Sequence, residues 1–334
     1  MKTIVLTGGG TAGHVIPSLS LVEDLKEYFD NIYYMGEKGG IEEKLSRESG
    51  LQFFGTDAVK FDRRKIATNL KIPYKLLKSI NQAKKILKEL KPDVIFAKGG
   101  YASLPSALSA RSVGAKLIIH ESDMSLGLAN KLCYPFADKV LTAFEGTCKN
   151  EIVVGTPLRK QIFEGKNPNI IFGDDKPIVL IMGGSSGSKT INECVKKSLD
   201  SLDEYNIIHL VGKSPINVKR SNYYSVDYYS DIQDLYHIAD VVVSRAGANT
   251  LAEIVALGKK ALVIPLPKTV SRGDQILNAR YYQNRGLVDV LQEENLTPEN
   301  LVSGINRALN RKNTERIENN ANLQIVREIE KSIK

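Results

Sequence analysis

Two segments far apart in the chain begin alike. KTIVLTGGGTAGH (2–14) and KPIVLIMGGSSGSKT (176–190) each run lysine, apolar strand, glycine-rich turn, helix. A strand that passes at once into a helix through glycines opens a βαβ unit, whose strands lie in a parallel sheet buried on both faces. Further short apolar runs keep the alternation going. In the first half they are Thr3–Leu6, Ile32–Met35, Val94–Ala97, Lys116–His120 and Lys139–Thr142; in the second, Ile178–Met182, Asn206–Val211, Val241–Ser244 and Ala261–Pro265. Between the halves GTPLRKQIFEGKNPNIIFGDDKP (155–177) reads as a linker, and the tail 311–334 reads as terminal helices. The expectation is α/β: two Rossmann-like doubly wound domains facing across a cleft, with ligands outside the carboxyl ends of the strands.

Length and composition agree. The 334 residues suffice for two domains, and 42% hydrophobic with 25% charged residues describes a globular chain. No apolar run approaches the roughly 18–20 residues of a membrane span. The chain starts on a strand-like segment without a signal-peptide pattern. Cys133, Cys148 and Cys194 are odd in number and lack metal-ligand spacing, so reduced thiols, a cytoplasmic setting and no structural zinc are expected.

The net charge of +8 is local. Residues 60–91 carry eleven Lys/Arg against two acids, a local +9, so the remainder sums to −1. From Leu76 to Leu90 the apolar residues Leu76, Leu77, Ile80, Ala83, Leu87 and Leu90 keep helical spacing, with lysines between them. The preceding stretch interleaves Arg63, Arg64, Lys65 and Lys71 with Ile66, Leu70 and Tyr74 and has no clean stripe. That composition suits an anionic membrane surface, where each cation contributes about 1 kcal/mol. A nucleic-acid surface would call for more stacking aromatics.

Several glycine loops and polar clusters follow the strands. Gly8, Gly10 and Gly13 satisfy the G-x-G-x-x-G spacing of a dinucleotide turn, with Glu37 after the second strand where a ribose partner would stand. The same loop at a helix N-terminus serves any diphosphate. His14, in the first turn of that helix, either packs there or transfers a proton. The second loop, Gly183 to Thr190, fails the P-loop pattern because Ser188 stands where glycine is required. GGYASLPSALSA (99–110) and HESDMSLGLANK (120–131) place more glycines and the His120, Glu121, Asp123 cluster after two further strands. SRAGANTLAEIVALGKKALVIPLP (244–267) carries Glu253 in the first turns of a helix, suited to vicinal hydroxyls or merely to the helix dipole. SRGDQILNA (271–279) adds Asp274, Gln275 and Asn278. His209, inside IIHLV, and His237, inside DLYHIAD, read as structural.

The ordered set TGGGTAGHVIPSLSL, GGYASLPSALSA, HESDMSLGLANK, GTPLR, MGGSSGSKTIN, SRAGANTLAEI and SRGDQILNA resembles the MurG-type N-acetylglucosaminyltransferases of bacterial cell-wall synthesis, from residue 3 to about 285. The resemblance implies a GT-B glycosyltransferase without metal or cofactor. It implies an acceptor domain over 1–158, completed by the C-terminal helix 318–334, and a UDP-GlcNAc domain over 159–317. The acceptor would be undecaprenyl-diphospho-MurNAc-pentapeptide (lipid I), with inversion at the GlcNAc C1.

By the same resemblance Glu253 takes the ribose hydroxyls, Ser185 and Arg159 lie near the donor phosphates, and backbone near Tyr229 meets the uracil. Ala248, Asn249, Asp274 and Gln275 lie near the phosphates and GlcNAc, and Asp123 near the donor sugar. Gly9, Gly10, Thr11 and Gly13, with Gly99, Gly100 and Tyr101, would hold the acceptor diphosphate, and His14 would be the general base. Some members carry Asn at the place of Asp123 and Gln at that of Asp274. The anionic cytoplasmic membrane surface and other cell-wall synthesis proteins are the implied partners, and nucleic acid is not. Rival readings are a UDP-GlcNAc 2-epimerase or glycolipid glycosyltransferase of the same fold, a glycan-binding module without turnover, and a dinucleotide oxidoreductase.

Overall fold

The computed structural model describes residues 1–59, 72–184, 187–312 and 317–333. The chain divides into two compact units, Met1–Arg159 with Asn319–Lys334, and Lys160–Glu318. Arg63, Arg64, Lys65, Ile66, Leu70 and Lys71 of the basic segment, and Ser185 of the second glycine loop, lie outside the described residues.

The first unit holds seven parallel strands: β1 (Thr3–Thr7), β2 (Asn31–Glu37), β3 (Gln52–Thr56), β4 (Val94–Ala97), β5 (Lys116–Glu121), β6 (Lys139–Thr142) and β7 (Glu151–Val153), in the order β3-β2-β1-β4-β5-β6-β7. Alternate residues feed opposite faces, as the pleat requires. Ile4, Leu6, Val94 and Phe96 enter one core, which helix Ala321–Glu330 closes with Ile325, Val326 and Ile329. Val5, Ile95 and Ala97 enter the other, beneath Ala83 and Leu87 of helix Ile72–Leu90. Three aliphatic side chains, each contributing about 1.5–3 kcal/mol on burial, bind the terminal helix to a unit it follows by some 160 residues of chain. Asn322 adds hydrogen bonds to the Ser20 and Leu158 carbonyls at 3.0 and 3.1 Å.

The second unit has six parallel strands: β8 (Ile178–Met182), β9 (Asn206–Leu210), β10 (Tyr223–Val226), β11 (Val241–Ser244), β12 (Lys260–Val263) and β13 (Asp289–Val290), in the order β10-β9-β8-β11-β12-β13. Each sheet starts at its centre, runs to one edge, returns to the centre and runs to the other. The neighbours β1/β4 and β8/β11 are the two switch points, the place at which sheets of this kind bind ligands.

Three local expectations need correction. The strands β3, β7, β10 and β13 have no counterpart among the sequence-based candidates, and all four are sheet edges. The start of the 155–177 segment is packed rather than loose: Ile162 is buried and the Lys166 amide donates to Asp234 at 2.8 Å. Leu77 is 61% exposed and does not join the buried stripe of its helix. It lies three residues after Tyr74, which is 74% exposed, so the two form an apolar spot at the end of the helix nearest the basic segment.

Candidate active site

At the switch point of the first unit, the loops after β1 and β4 interlock. The Gly9 amide donates to the Gly99 carbonyl at 3.3 Å. Gly100 has φ +79°, and a Cβ there would lie 2.1 Å from the Gly9 carbonyl oxygen, so only glycine allows this approach. The same Cβ would stand 3.2 Å from His14 Nδ1, which places the imidazole against the second glycine pair. His14 is half-buried in the first turn of helix Ala12–Leu19, and Nδ1 lies 3.0 Å from Oγ1 of the N-cap residue Thr11. Packing and proton transfer are therefore compatible: the ring's position is set by Thr11 and Gly100, while its chemistry depends on which nitrogen carries the proton.

A carboxylate that the sequence did not single out lies beneath the loop. Glu42, fully buried, accepts from the Gly10 amide at 3.2 Å and the Glu37 amide at 2.9 Å. Side chains at Gly9, Gly36 or Gly40 would collide with it. Tyr101 donates its hydroxyl to Glu37, and its ring covers Gly10. Burial and the Glu37 charge push the Tyr101 phenol well above its usual range, so it stays a donor. The Glu37 carboxylate is thus engaged where a dinucleotide would need it for ribose, and the buried Glu42 side chain already uses one loop amide. The amides of Gly9 and Gly10 are both engaged within the first unit's own loops.

At the end of β5, the Glu121 carboxylate accepts from the amides of Asp123 and Gly127 and from the Asn130 side chain, at 3.1, 2.8 and 2.9 Å. It shapes the 122–127 loop. His120 lies 2.9 Å from the Gly155 carbonyl through Nε2, and burial, then the nearby Lys98 cation, hold its pKa well below the usual value. It is a neutral structural ring.

The second unit has a cavity of about 400 Å³ at its switch point, lined by Gly183, Gly184, Gly187, Ser188, Arg245, Gly247, Thr250, Leu266 and Gln275. Gly187 has φ +75°, and a Cβ on it would meet the Val211 carbonyl oxygen at 2.3 Å, so the loop passes close over β9. Ser188 caps helix Lys189–Ser198, whose N-terminal end therefore opens at the cavity. Of the donor residues expected from sequence, Gln275 lines the cavity and accepts from the Leu266 amide at 3.0 Å. Ala248 and Asn249 begin helix Ala248–Ala256 between two lining residues. Asp274 is buried and ion-paired with Arg272 at 2.8 Å, and Tyr229 follows edge strand β10. Glu253 is the sixth residue of its helix, beyond the first turn where the dipole acts, and accepts from the Tyr236 hydroxyl at 3.2 Å. Arg159 is the last residue of the first unit's opening segment, with a buried Nε lacking a hydrogen-bond partner.

Arg245 escaped the sequence reading, although a lone cation between a buried strand and a glycine was the available signal. It is 6% exposed, donates to the Ile264 carbonyl at 3.1 Å and Ser188 Oγ at 2.7 Å, and pairs with Glu293. His209 is structural: it joins Tyr223 and Asn192 in a buried chain, and Asn192 gives its NH₂ to the carbonyls of Val211 and Ser214. Its amide oxygen therefore accepts from Nε2, and burial lowers the ring pKa to about 4.

Both units match a known glycosyltransferase family. The descriptions "Glycosyltransferase family 28 N-terminal domain" and "Glycosyltransferase family 28 C-terminal domain" match residues 4–142 and 178–333. The chain is 43% identical over 92% of its length, and 90% of the relative's, to the UDP-N-acetylglucosamine--N-acetylmuramyl-(pentapeptide) pyrophosphoryl-undecaprenol N-acetylglucosamine transferase of Clostridium botulinum (strain Kyoto / Type A2). The chain belongs to the MurG family. A relative of the same name from Lachnoclostridium phytofermentans is 41% identical, again over 92% of this chain and 90% of its own. The crystal structure of Acinetobacter baumannii MurG matches with a TM-score of 0.77 at 27% identity, covering 99% of this chain and 100% of that one. A putative UDP-N-acetylglucosamine 2-epimerase from Listeria monocytogenes, at 13% identity and a TM-score of 0.68 over 100% and 97% of the two chains, shares the fold alone. The two parallel sheets are thus those of a GT-B glycosyltransferase, and the MurG resemblance of the motifs extends across both units.

Proposed function

We propose that this chain transfers GlcNAc from UDP-GlcNAc to the C4 hydroxyl of MurNAc in undecaprenyl-diphospho-MurNAc-pentapeptide, with inversion at C1. The carrying observation is 43% identity across both units to transferases named for that reaction. The second unit holds the donor. Its glycine loop and the N-terminal end of helix Lys189–Ser198 suit the diphosphate, with Arg159 and Ser185 contributing near it. Gln275, its oxygen already taken by the Leu266 amide, offers donors to phosphate or hydroxyl oxygens. Glu253 accepts the ribose hydroxyls, backbone near Tyr229 meets the uracil, and Ala248, Asn249, Asp274 and, from the first unit, Asp123 contact the phosphates and sugar.

The first unit holds the acceptor diphosphate at the start of helix Ala12–Leu19, beside Gly99, Gly100 and Tyr101. His14 Nε2 takes the proton of the C4 hydroxyl as its oxygen bonds to GlcNAc C1. The bond from C1 to the UDP oxygen breaks, and its electron pair leaves on the β-phosphate. A base at Nε2 requires Nδ1–H to donate to Thr11 Oγ1, the contact seen at 3.0 Å. Helix amides at the second unit's loop offset the charge that develops on UDP.

Purified protein should convert UDP-GlcNAc and a lipid I analogue to product, with the same rate after chelation of divalent metal. Strict metal dependence would overturn the metal-independent mechanism, and consumption of UDP-GlcNAc without acceptor would point to an epimerase.

We also place the protein peripherally on the cytoplasmic face of the membrane, through residues 60–80. Among the described residues no helix is long and apolar enough to cross a membrane. Tyr74 and Leu77 supply exposed apolar contacts beside the basic run. Replacing Arg63, Arg64 and Lys65 together by Glu removes about 3 kcal/mol of attraction, so binding to anionic vesicles should fall more than a hundredfold. Unchanged vesicle binding would remove the patch from this role.

A further inference from the structure

Glu42 is the second residue of helix Ile41–Glu48 and is fully buried. An acid in a first helical turn gains from the dipole without leaving water, and a carboxylate withdrawn from water is costly unless its oxygens are bonded. Here each oxygen takes one backbone amide from a different place in the unit. Oε1 accepts from Glu37, the last residue of β2, at 2.9 Å, and Oε2 from Gly10, in the loop after β1, at 3.2 Å. Three glycines make room for the side chain: a Cβ at Gly9, Gly36 or Gly40 would come within 2.4, 2.5 or 2.8 Å of it. Gly10, at φ +82°, also lies against the Tyr101 ring, whose hydroxyl donates to Glu37. Gly10 is joined directly to Thr11, the N-cap of helix Ala12–Leu19. The Thr11 hydroxyl does not cap that helix but lies 3.0 Å from His14 Nδ1.

We propose that Glu42 is a positioning residue of the transferase: by accepting from the Gly10 amide it fixes Thr11, and through Thr11 Oγ1 it sets the imidazole of His14. This rests on the transferase reading above. The two amides demand a carboxylate. Two N–H donors converge on one side chain, so both of its oxygens must accept. A glutamine of the same shape has one oxygen and one NH₂ group, and whichever amide faces the NH₂ meets a second donor. The Glu37 bond is the shorter, so the oxygen goes there and Gly10 is left without an acceptor. A role confined to the helix differs. A first-turn glutamine would cost helix Ile41–Glu48 its dipole interaction and leave the loop after β1 untouched.

The experiment compares wild type, E42Q, T11V, the E42Q/T11V double variant and G36A. It measures turnover with the lipid I analogue, UDP-GlcNAc binding by calorimetry, and the ring-nitrogen NMR resonances of His14 at about pH 8, assigned by comparison with H14A. Wild type should show Nδ1 as the protonated nitrogen, because Nδ1–H donates to Thr11. E42Q should lose about tenfold or more in kcat, bind UDP-GlcNAc within about twofold of wild type, and show His14 with a larger share of the Nε2–H form. T11V should show the same changes. The double variant should lose no more than about twofold beyond T11V alone, because both substitutions break one chain of contacts. G36A keeps the Glu42 charge but pushes the side chain aside, so it should reproduce the E42Q signature, and it decides if E42Q does not fold. An unprotonated Nδ1 in wild type, His14 resonances in E42Q equal to wild type, kcat of E42Q within about threefold of wild type, or single losses that multiply would overturn the proposal. Absence of wild-type turnover would instead sink the transferase reading, and the His14 resonances would still show whether Glu42 sets the ring.

Discussion

Replacing His14 by alanine is expected to lower GlcNAc transfer by about a hundred- to ten-thousand-fold, the range that a positioned general base supplies. UDP-GlcNAc binding should stay within about twofold of wild type, because His14 is not among the residues that line the donor cavity. The fold should survive. The ring is half-buried, and the strands on which its helix rests keep their own apolar core. Single-turnover assay with saturating donor, alongside calorimetric donor binding, separates the two effects. Turnover within threefold of wild type would remove His14 from the role of base and leave it as the residue that packs Thr11 against Gly100.

Arg245→Met is expected to give a large stability loss at the donor cavity. Its guanidinium ties Ser188 on the glycine loop, the Ile264 carbonyl after β12 and the Glu293 carboxylate together. Methionine fills much of the volume but leaves Glu293 as an unpaired, mostly buried charge, a loss of about 3–5 kcal/mol. Donor affinity should fall with it, since Ser188 loses the partner that fixes it at the cavity. Arg245→Lys should be intermediate: it keeps the charge but cannot bond several acceptors at fixed angles as the planar fork does. Urea denaturation monitored with and without UDP-GlcNAc measures both consequences. A midpoint and donor affinity equal to wild type in the methionine variant would show that the cation is incidental to the loop.

Strands and glycine turns were readable because central parallel strands face apolar layers on both sides. β4 (VIFA), β6 (KVLT), β8 (IVLIM) and β11 (VVVS) coincide with their sequence-based candidates residue for residue. The edge strands QFFGT, EIV, YYSV and DV are only partly buried, so polar or small residues interrupt their runs and no periodic signal survives. Sequence order also placed the glycine loops at strand ends, since a turn that brings backbone within contact distance of backbone admits no other residue, as at Gly100 and Gly187.

What surrounds those loops was not readable. Glu42 lies in an ordinary amphipathic helix, IEEKLSRE, and nothing in its spacing separates it from the neighbouring Glu43, which is an outward partner of Arg47. Lys98 and Arg245 each follow a buried strand by one residue, a position where a cation is as readily solvated as buried. Burial, charge balance and partner all come from strands distant in sequence: β5 for Lys98, and the segments around Ser188 and Glu293 for Arg245. Local patterning thus sets the elements, because hydrophobic periodicity and steric limits act within a few residues. The electrostatics of each site arise only when separate loops share one rim, because the cost of burying a charge depends on which groups the completed fold brings beside it.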